Sequence, residues 1–227
     1  MGGRGSSFSQ SAYVAVSVTG SDGAHIDLTG IPLHYGGKDH NLTGKVRTTI
    51  EAFEDRRWKN KIEFSRFVDA DGNVIEDNRG GKGSVGASLS ARMSAHAMSH
   101  NHPRSGRESG LLGGTFSTGD INNFVRFSQK TYRATASEGT YSISKQKGFD
   151  GKGFRQYYSS EHSKNRGAYV TARKTLDTSY KAGKMSYSDY RKATQKAFNT
   201  YLVANHNSLR AGQKQYGYHY TLERRSK

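Results

Sequence analysis

Apolar residues recur at helical spacing from Leu42 through Val46, Ile50 and Phe53 to Trp58, with charged residues between them, and predict a helix starting at Leu42. Ile62, Phe64 and Phe67 then mark an extended segment over 62–68. The run Asp69-Ala70-Asp71-Gly72-Asn73 reads as a tight turn, and 74–76 returns as a second strand, giving a hairpin. The Asp69/Asp71/Asn73 spacing superficially fits a calcium loop, but the full ligand set is missing and the turn reading prevails. Residues 79–86, RGGKGSVG, form a loop without the spacing of a phosphate-binding P-loop. A short helix over 89–98 leads into a strand. Ser117, with Asp120 three residues later, caps a helix whose buried side is Ile121, Phe124 and Val125. Segments 133–136 and 140–144 flank Glu138-Gly139 as a second hairpin.

Later in the chain, Tyr169, Ala172, Leu176 and Tyr180 mark a helix, and Ser186 with Asp189 opens another that runs to Leu202. The short link over 181–184 makes the two a helical hairpin. Tyr216, Tyr218, Tyr220 and Leu222 alternate with smaller or polar residues as a terminal strand or extended packing arm. Before residue 42 there is less order: 1–10 read as an arm, 13–18 as a short strand, and 19–41 as turn-rich.

Composition narrows the chemistry. The 227 residues carry 35 Lys and Arg against 19 Asp and Glu, a net charge of +16, and no cysteine. Disulfides, thiolate metal sites and cysteine nucleophiles are excluded, so any metal falls to His, Asp or Glu. No apolar run approaches the roughly 20 residues that span a bilayer. The polar opening has no apolar stretch of signal-peptide type, and a soluble chain without a membrane partner is expected. The charge is uneven. Residues 151–227 hold 16 basic and 4 acidic side chains, and 10 of the 14 tyrosines. That basic third is a possible nucleic-acid contact, against the plainer reading of a solvated face. Its tyrosines read first as packing residues.

One constellation carries candidate chemistry. His100 and His102 are two apart, so on a strand both imidazoles share a face. Pro103 ends that strand, and Asp120 can enter from the first turn of the following helix. Two imidazole nitrogens, one carboxylate and a water form a catalytic zinc set, in which the water's pKa falls to about 7. Glu63, between apolar Ile62 and Phe64, can serve as the proton acceptor, and Ser117 can bond a developing oxyanion. The same residues also have ordinary readings. Histidines two apart occur on surfaces, and a Ser cap with Asp at N3 is common helix chemistry.

His100-Asn101-His102-Pro103, then Ser117-Thr118-Gly119-Asp120, with Glu63 upstream, resembles the JAB/MPN (JAMM) metalloprotease family, nearest to its RadC-like and phage-associated branch. The hairpin before the histidines and the strand Glu138-Gly139-Thr140-Tyr141-Ser142 resemble the family too. The ending Tyr216-Gly217-Tyr218 is similar to tails of JAB-like modules beside phage and toxin proteins. The 18-residue step from His102 to Asp120 is longer than the family's usual spacing, and the glycine-rich 104–115 segment reads as an excursion over the site.

The resemblance implies an α/β (α+β) fold: a mixed sheet flanked by helices, with a basic C-terminal helical hairpin and terminal strand. With the shift in charge and tyrosine content near Gly148–Gly153, the chain divides into an irregular 1–41, a JAB/MPN-like metal-binding core over 42–147 and a basic tyrosine-rich helical extension over 148–227. The resemblance also implies Zn2+ on His100, His102 and Asp120, with Glu63 and Ser117 catalytic. The activity is then peptide or isopeptide hydrolysis of a protein substrate, ubiquitin-like or of phage origin, in a bacterial cytoplasm. Two other readings stay open: a non-catalytic module binding protein or nucleic acid on the same scaffold, and a toxin-like effector.

Overall fold

A computed structural model describes residues 33–103 and 112–224, with backbone alone at 18–19 and 25–26. The arm over 1–10, most of the 13–18 strand and the 104–111 part of the excursion lie outside the described residues. Strands β1 (Val18–Thr19) and β2 (His25–Ile26) pair antiparallel by themselves. The other elements are α1 (Gly44–Arg57), β3 (Phe64–Val68), β4 (Val74–Arg79), α2 (Leu89–Ser94), β5 (Ala97–Asn101), α3 (Thr118–Arg126), β6 (Thr131–Ala136), β7 (Gly139–Lys145), α4 (Gly151–Lys181), α5 (Tyr187–Tyr216) and β8 (Tyr218–Glu223). Six strands form one mixed sheet in the order β4-β3-β5-β6-β7-β8. Its β5–β6 pair is parallel and its other pairs are antiparallel. The helices flank this sheet, and α4 and α5 form a packed C-terminal pair, an arrangement consistent in general terms with a JAB/MPN-like architecture.

Local chemistry explains most boundaries. Leu42 lies outside α1, which begins at Gly44, yet it is buried with Val46, Ile50, Val68 and Ala97 as the periodicity requires. At the β3–β4 turn the Asp69 carboxylate accepts the Asp71 and Asn73 amides, so this acidic cluster is spent on the turn. Helix α4 starts at Gly151, well before the apolar stripe around Tyr169. Glycines at 151, 153 and 167 weaken its local helix signal. Burial of Phe154 and Tyr158, together with the Asp150 cap on Gly153 N, overrides that weakness. Helix α5 ends at Gly217, in the left-handed region at φ +67, and the chain turns there into β8.

Strand alternation gives the sheet two unlike faces. Met98, Tyr132, Ala134, Tyr141, Ile143, Tyr220 and Leu222 face an aromatic core with Phe116, Phe124, Phe154, Tyr158 and Leu209. The tyrosines there are packing residues: the Tyr218 ring lies 4.3 Å from that of Phe154, and the Tyr158 hydroxyl donates to the Phe116 carbonyl. Lys152, Arg155, Lys164, Arg166, Lys174 and Lys181 of α4 face solvent. No helix among the described residues is long and apolar enough to cross a membrane.

The opposite face is buried but polar. Arg133, 1% exposed, lies between Glu54 of α1 and Glu223 of β8. Its Nε and Nη2 donate to Glu54 at 2.8 and 3.0 Å, and its Nη1 and Nη2 to Glu223 at 2.9 and 3.2 Å. Burial alone would push this guanidinium toward losing its proton, but the two carboxylates outweigh that and hold it charged. Ser99 also donates to Glu54. The buried Asp39 accepts from Ser142 and Ser144.

Two outcomes follow from this packing. Arg133→Met leaves the buried Glu54 without its cation and Glu223 with only Arg47, at 3.8 Å, and is expected to lower unfolding stability by about 3–5 kcal/mol in urea titration; a loss below about 1 kcal/mol refutes the role given to Arg133. The second concerns His206, which is buried and bonded to the Tyr220 hydroxyl, with burial pushing its ring down to about 4 from 6.5. The unfolded chain therefore binds more protons between those values, and this contribution to stability is present above pH 6.5 and lost as the pH falls toward 4. His206→Gln is expected to flatten the stability–pH curve in that window; parallel curves for the two chains would contradict the assignment.

Candidate metal centre

Strand β5 runs through the middle of the sheet and ends beneath α3. His100 is buried on it, and His102 lies one residue beyond its end. The His102 amide still donates to the Thr135 carbonyl at 2.9 Å, so extended geometry continues and both rings emerge on one face. Their Nε2 atoms are 3.0 Å apart. Asp120 arrives from the first turn of α3, with Oδ1 3.6 Å from His100 Nε2. The three ligand-type atoms lie within 4.8 Å of one another, a cluster able to hold a divalent metal.

Asp120 is placed by a capping box. Ser117 N and Oγ both donate to its Oδ2, at 2.8 and 2.7 Å, and its own amide donates back to Ser117 Oγ. The remaining oxygen faces the histidines and accepts a longer bond of 3.3 Å from the Tyr132 hydroxyl. Burial pushes Asp120 up, but His100, His102 and the Ser117 bonds outweigh it and hold the carboxylate low. Burial drives the His100 ring down to about 4, against the pull of Asp120, so this imidazole is neutral at ordinary pH. His102 Nδ1 lies 2.7 Å from the Gly114 carbonyl. A carbonyl only accepts, so Nδ1 carries a hydrogen, and Nε2 is the ring nitrogen that faces the cluster. A neutral imidazole, a tautomer-fixed imidazole and a carboxylate suit a divalent cation of zinc type.

Glu63 and Ser117 border the same cavity as the three clustered residues, a space of about 350 Å³ also walled by Ser84, Val85, Met98 and Tyr132. Burial raises the Glu63 carboxyl and Asp120 adds to this, while His102 opposes it. The glycine-rich loop is tied directly to Glu63: the Glu63 amide donates to Gly81 and the Gly80 amide donates to Glu63, at 2.7 and 2.8 Å.

Several site-building residues were not evident from sequence. Asn101, between the two histidines, points to the opposite face and is buried. Its side chain accepts from Phe64 N at 2.7 Å and donates to Ile62 O at 3.0 Å, bracketing Glu63 and setting its register against the histidines. An asparagine set between the two histidines was the available signal. Tyr132 and Gly114 had none, because their roles depend on segments brought together only by folding.

The excursion between His102 and Asp120 is fastened at its C-terminal end. Leu112 N donates to Asn199 of α5, Thr115 Oγ1 pairs with the Tyr220 hydroxyl of β8, and Phe116 O takes Tyr158 of α4. No protein-family model, no curated protein and no solved structure matches the chain. The His-His-Asp cluster on a helix-flanked mixed sheet is consistent with a JAMM/MPN-like fold. The purified chain is expected to take up a single Zn2+, and His100→Ala or His102→Ala to take up none; unchanged metal content by elemental analysis would overturn this site.

Proposed function

We propose that this chain is a zinc-dependent peptide or isopeptide hydrolase of JAB/MPN type, related to the RadC-like and phage-associated branch. The observation that carries this reading is the convergence of His100, His102 and Asp120 in one cavity with the raised-pKa carboxyl of Glu63. His100, His102 and Asp120 hold the ion. When bound, zinc polarises a carbonyl and acidifies water.

The chain supplies the proton transfers and the geometry. Glu63 accepts a proton from the attacking water at its carboxylate and returns it to the leaving nitrogen. Its half-buried position raises its basicity toward what that task needs. The Ser117 hydroxyl exchanges its bond to Asp120 Oδ2 for the developing oxyanion. Ser117 N keeps hold of the same carboxylate oxygen, so the ligand stays placed during the exchange. The substrate is a protein, with ubiquitin-like conjugates and phage proteins the first candidates on the family resemblance.

Glu63→Gln keeps the shape of the site and removes the base. It is expected to retain zinc while cleavage of a peptide or ubiquitin-like conjugate panel, read by mass spectrometry, falls about 10²–10⁴-fold. Equal turnover by variant and parent on an identified substrate would remove Glu63 from the mechanism.

A further inference from the structure

Glu138 lies in the tight turn between β6 and β7, away from the metal cluster, yet its carboxylate reaches the end of the excursion. Oε2 accepts the Gly113 amide at 3.0 Å and Oε1 the Gly114 amide at 2.8 Å. The same two oxygens take the Ser137 and Tyr141 hydroxyls, at 3.0 and 2.8 Å. The Tyr35 hydroxyl donates to the Glu138 carbonyl and ties the turn itself down. The Gly113, Gly114, Ser137 and Tyr141 donors all point at one carboxylate, which leaves it little freedom to rotate.

Gly114 converts that clamp into orientation. It sits at φ +83, a conformation side chains rarely adopt, and a Cβ there would come within 2.7 Å of Leu202 Cδ2. With both amides held and no room behind, its carbonyl is aimed at His102 Nδ1, 2.7 Å away. His102 needs such a guide more than His100 does. His100 is buried inside β5, whereas His102 stands beyond the strand end and is only partly buried.

We infer, building on the metal-site reading above, that Glu138 is a positioning residue for His102. By clamping Gly113 and Gly114 it aims the Gly114 carbonyl, which fixes the His102 tautomer and turns Nε2 toward the ion. It touches neither substrate nor metal.

Two measurements test this. Long-range 1H–15N NMR of the metal-free chain reads the tautomer of each histidine. The expected result is His102 in the Nδ1–H form in the parent and a mixture of forms in Glu138→Ala, with His100 unchanged as the internal reference. Zinc titration of the same variant is expected to show affinity weakened about 10–100-fold, the usual effect of losing a group that orients a ligand. A folded Glu138→Ala chain with the parent His102 tautomer and zinc affinity within about twofold overturns the inference, because the carbonyl is then aimed without the clamp. A change spread equally over His100 and His102 also overturns it, since that marks general loosening of the fold.

If Glu138→Ala does not fold, Glu138→Gln decides the matter by the same readings. Its carboxamide offers one acceptor in place of two, so a smaller change confined to His102 is expected, and none overturns the role. If the parent itself takes up no zinc, the hydrolase reading fails, while the tautomer comparison still tests Glu138.

Discussion

The buried Arg133 between Glu54 and Glu223 is the interaction on which the arrangement depends. It joins the first helix, a central strand and the last strand, whose partners are 79 and 90 residues away in sequence. Removing such a charge from water is costly, and only the full set of donors and acceptors offsets it. Arg133 is opposite Ser99 in the parallel β5–β6 pair, one residue from His100. The polar face of the sheet therefore fixes the register of the strand whose other face presents the metal cluster. The sheet is a latch on one side and a site on the other.

The compositional boundary near residue 150 separates charge but not structural responsibility. The solvent faces of α4 and α5 carry much of its basic excess. The inner faces of α4 and α5, with β8, hold the loop that connects His102 to Asp120 through Tyr158, Asn199 and Tyr220. The ligands come from the middle of the chain, and its end fastens residues 112–116 between them. A long connection between two ligands is tolerable when its last residues are fastened one by one.

Inside the cavity the titratable groups are driven in different directions by different causes. Burial leaves His100 neutral and raises Glu63, while neighbouring rings and a capping box keep Asp120 ionised. Separation of acid and base character among adjacent groups is what proton-transfer chemistry requires. Here it arises from unequal access to water and from hydrogen bonds, with no unusual residue type.

Sequence alone determined the features whose cause is local. The two-residue spacing of His100 and His102 meant a shared face because strand side chains alternate. Ser117 and Asp120 meant a helix start because those side chains bond orphan amides. Asp69 through Asn73 meant a turn for the same kind of reason. Helix α4 was legible only in part, since its first turns rest on Phe154 and Tyr158 meeting a distant core against the bias of nearby glycines. The tertiary structure decided which carboxylates Arg133 meets, that Asn101 brackets Glu63, and that Gly114 addresses His102. The first two pair segments 37 to 90 residues apart and the third closes across 12 residues, and in none of them does periodicity or spacing carry a signal. Such pairings form because a buried polar group left alone would cost more than the order needed to satisfy it.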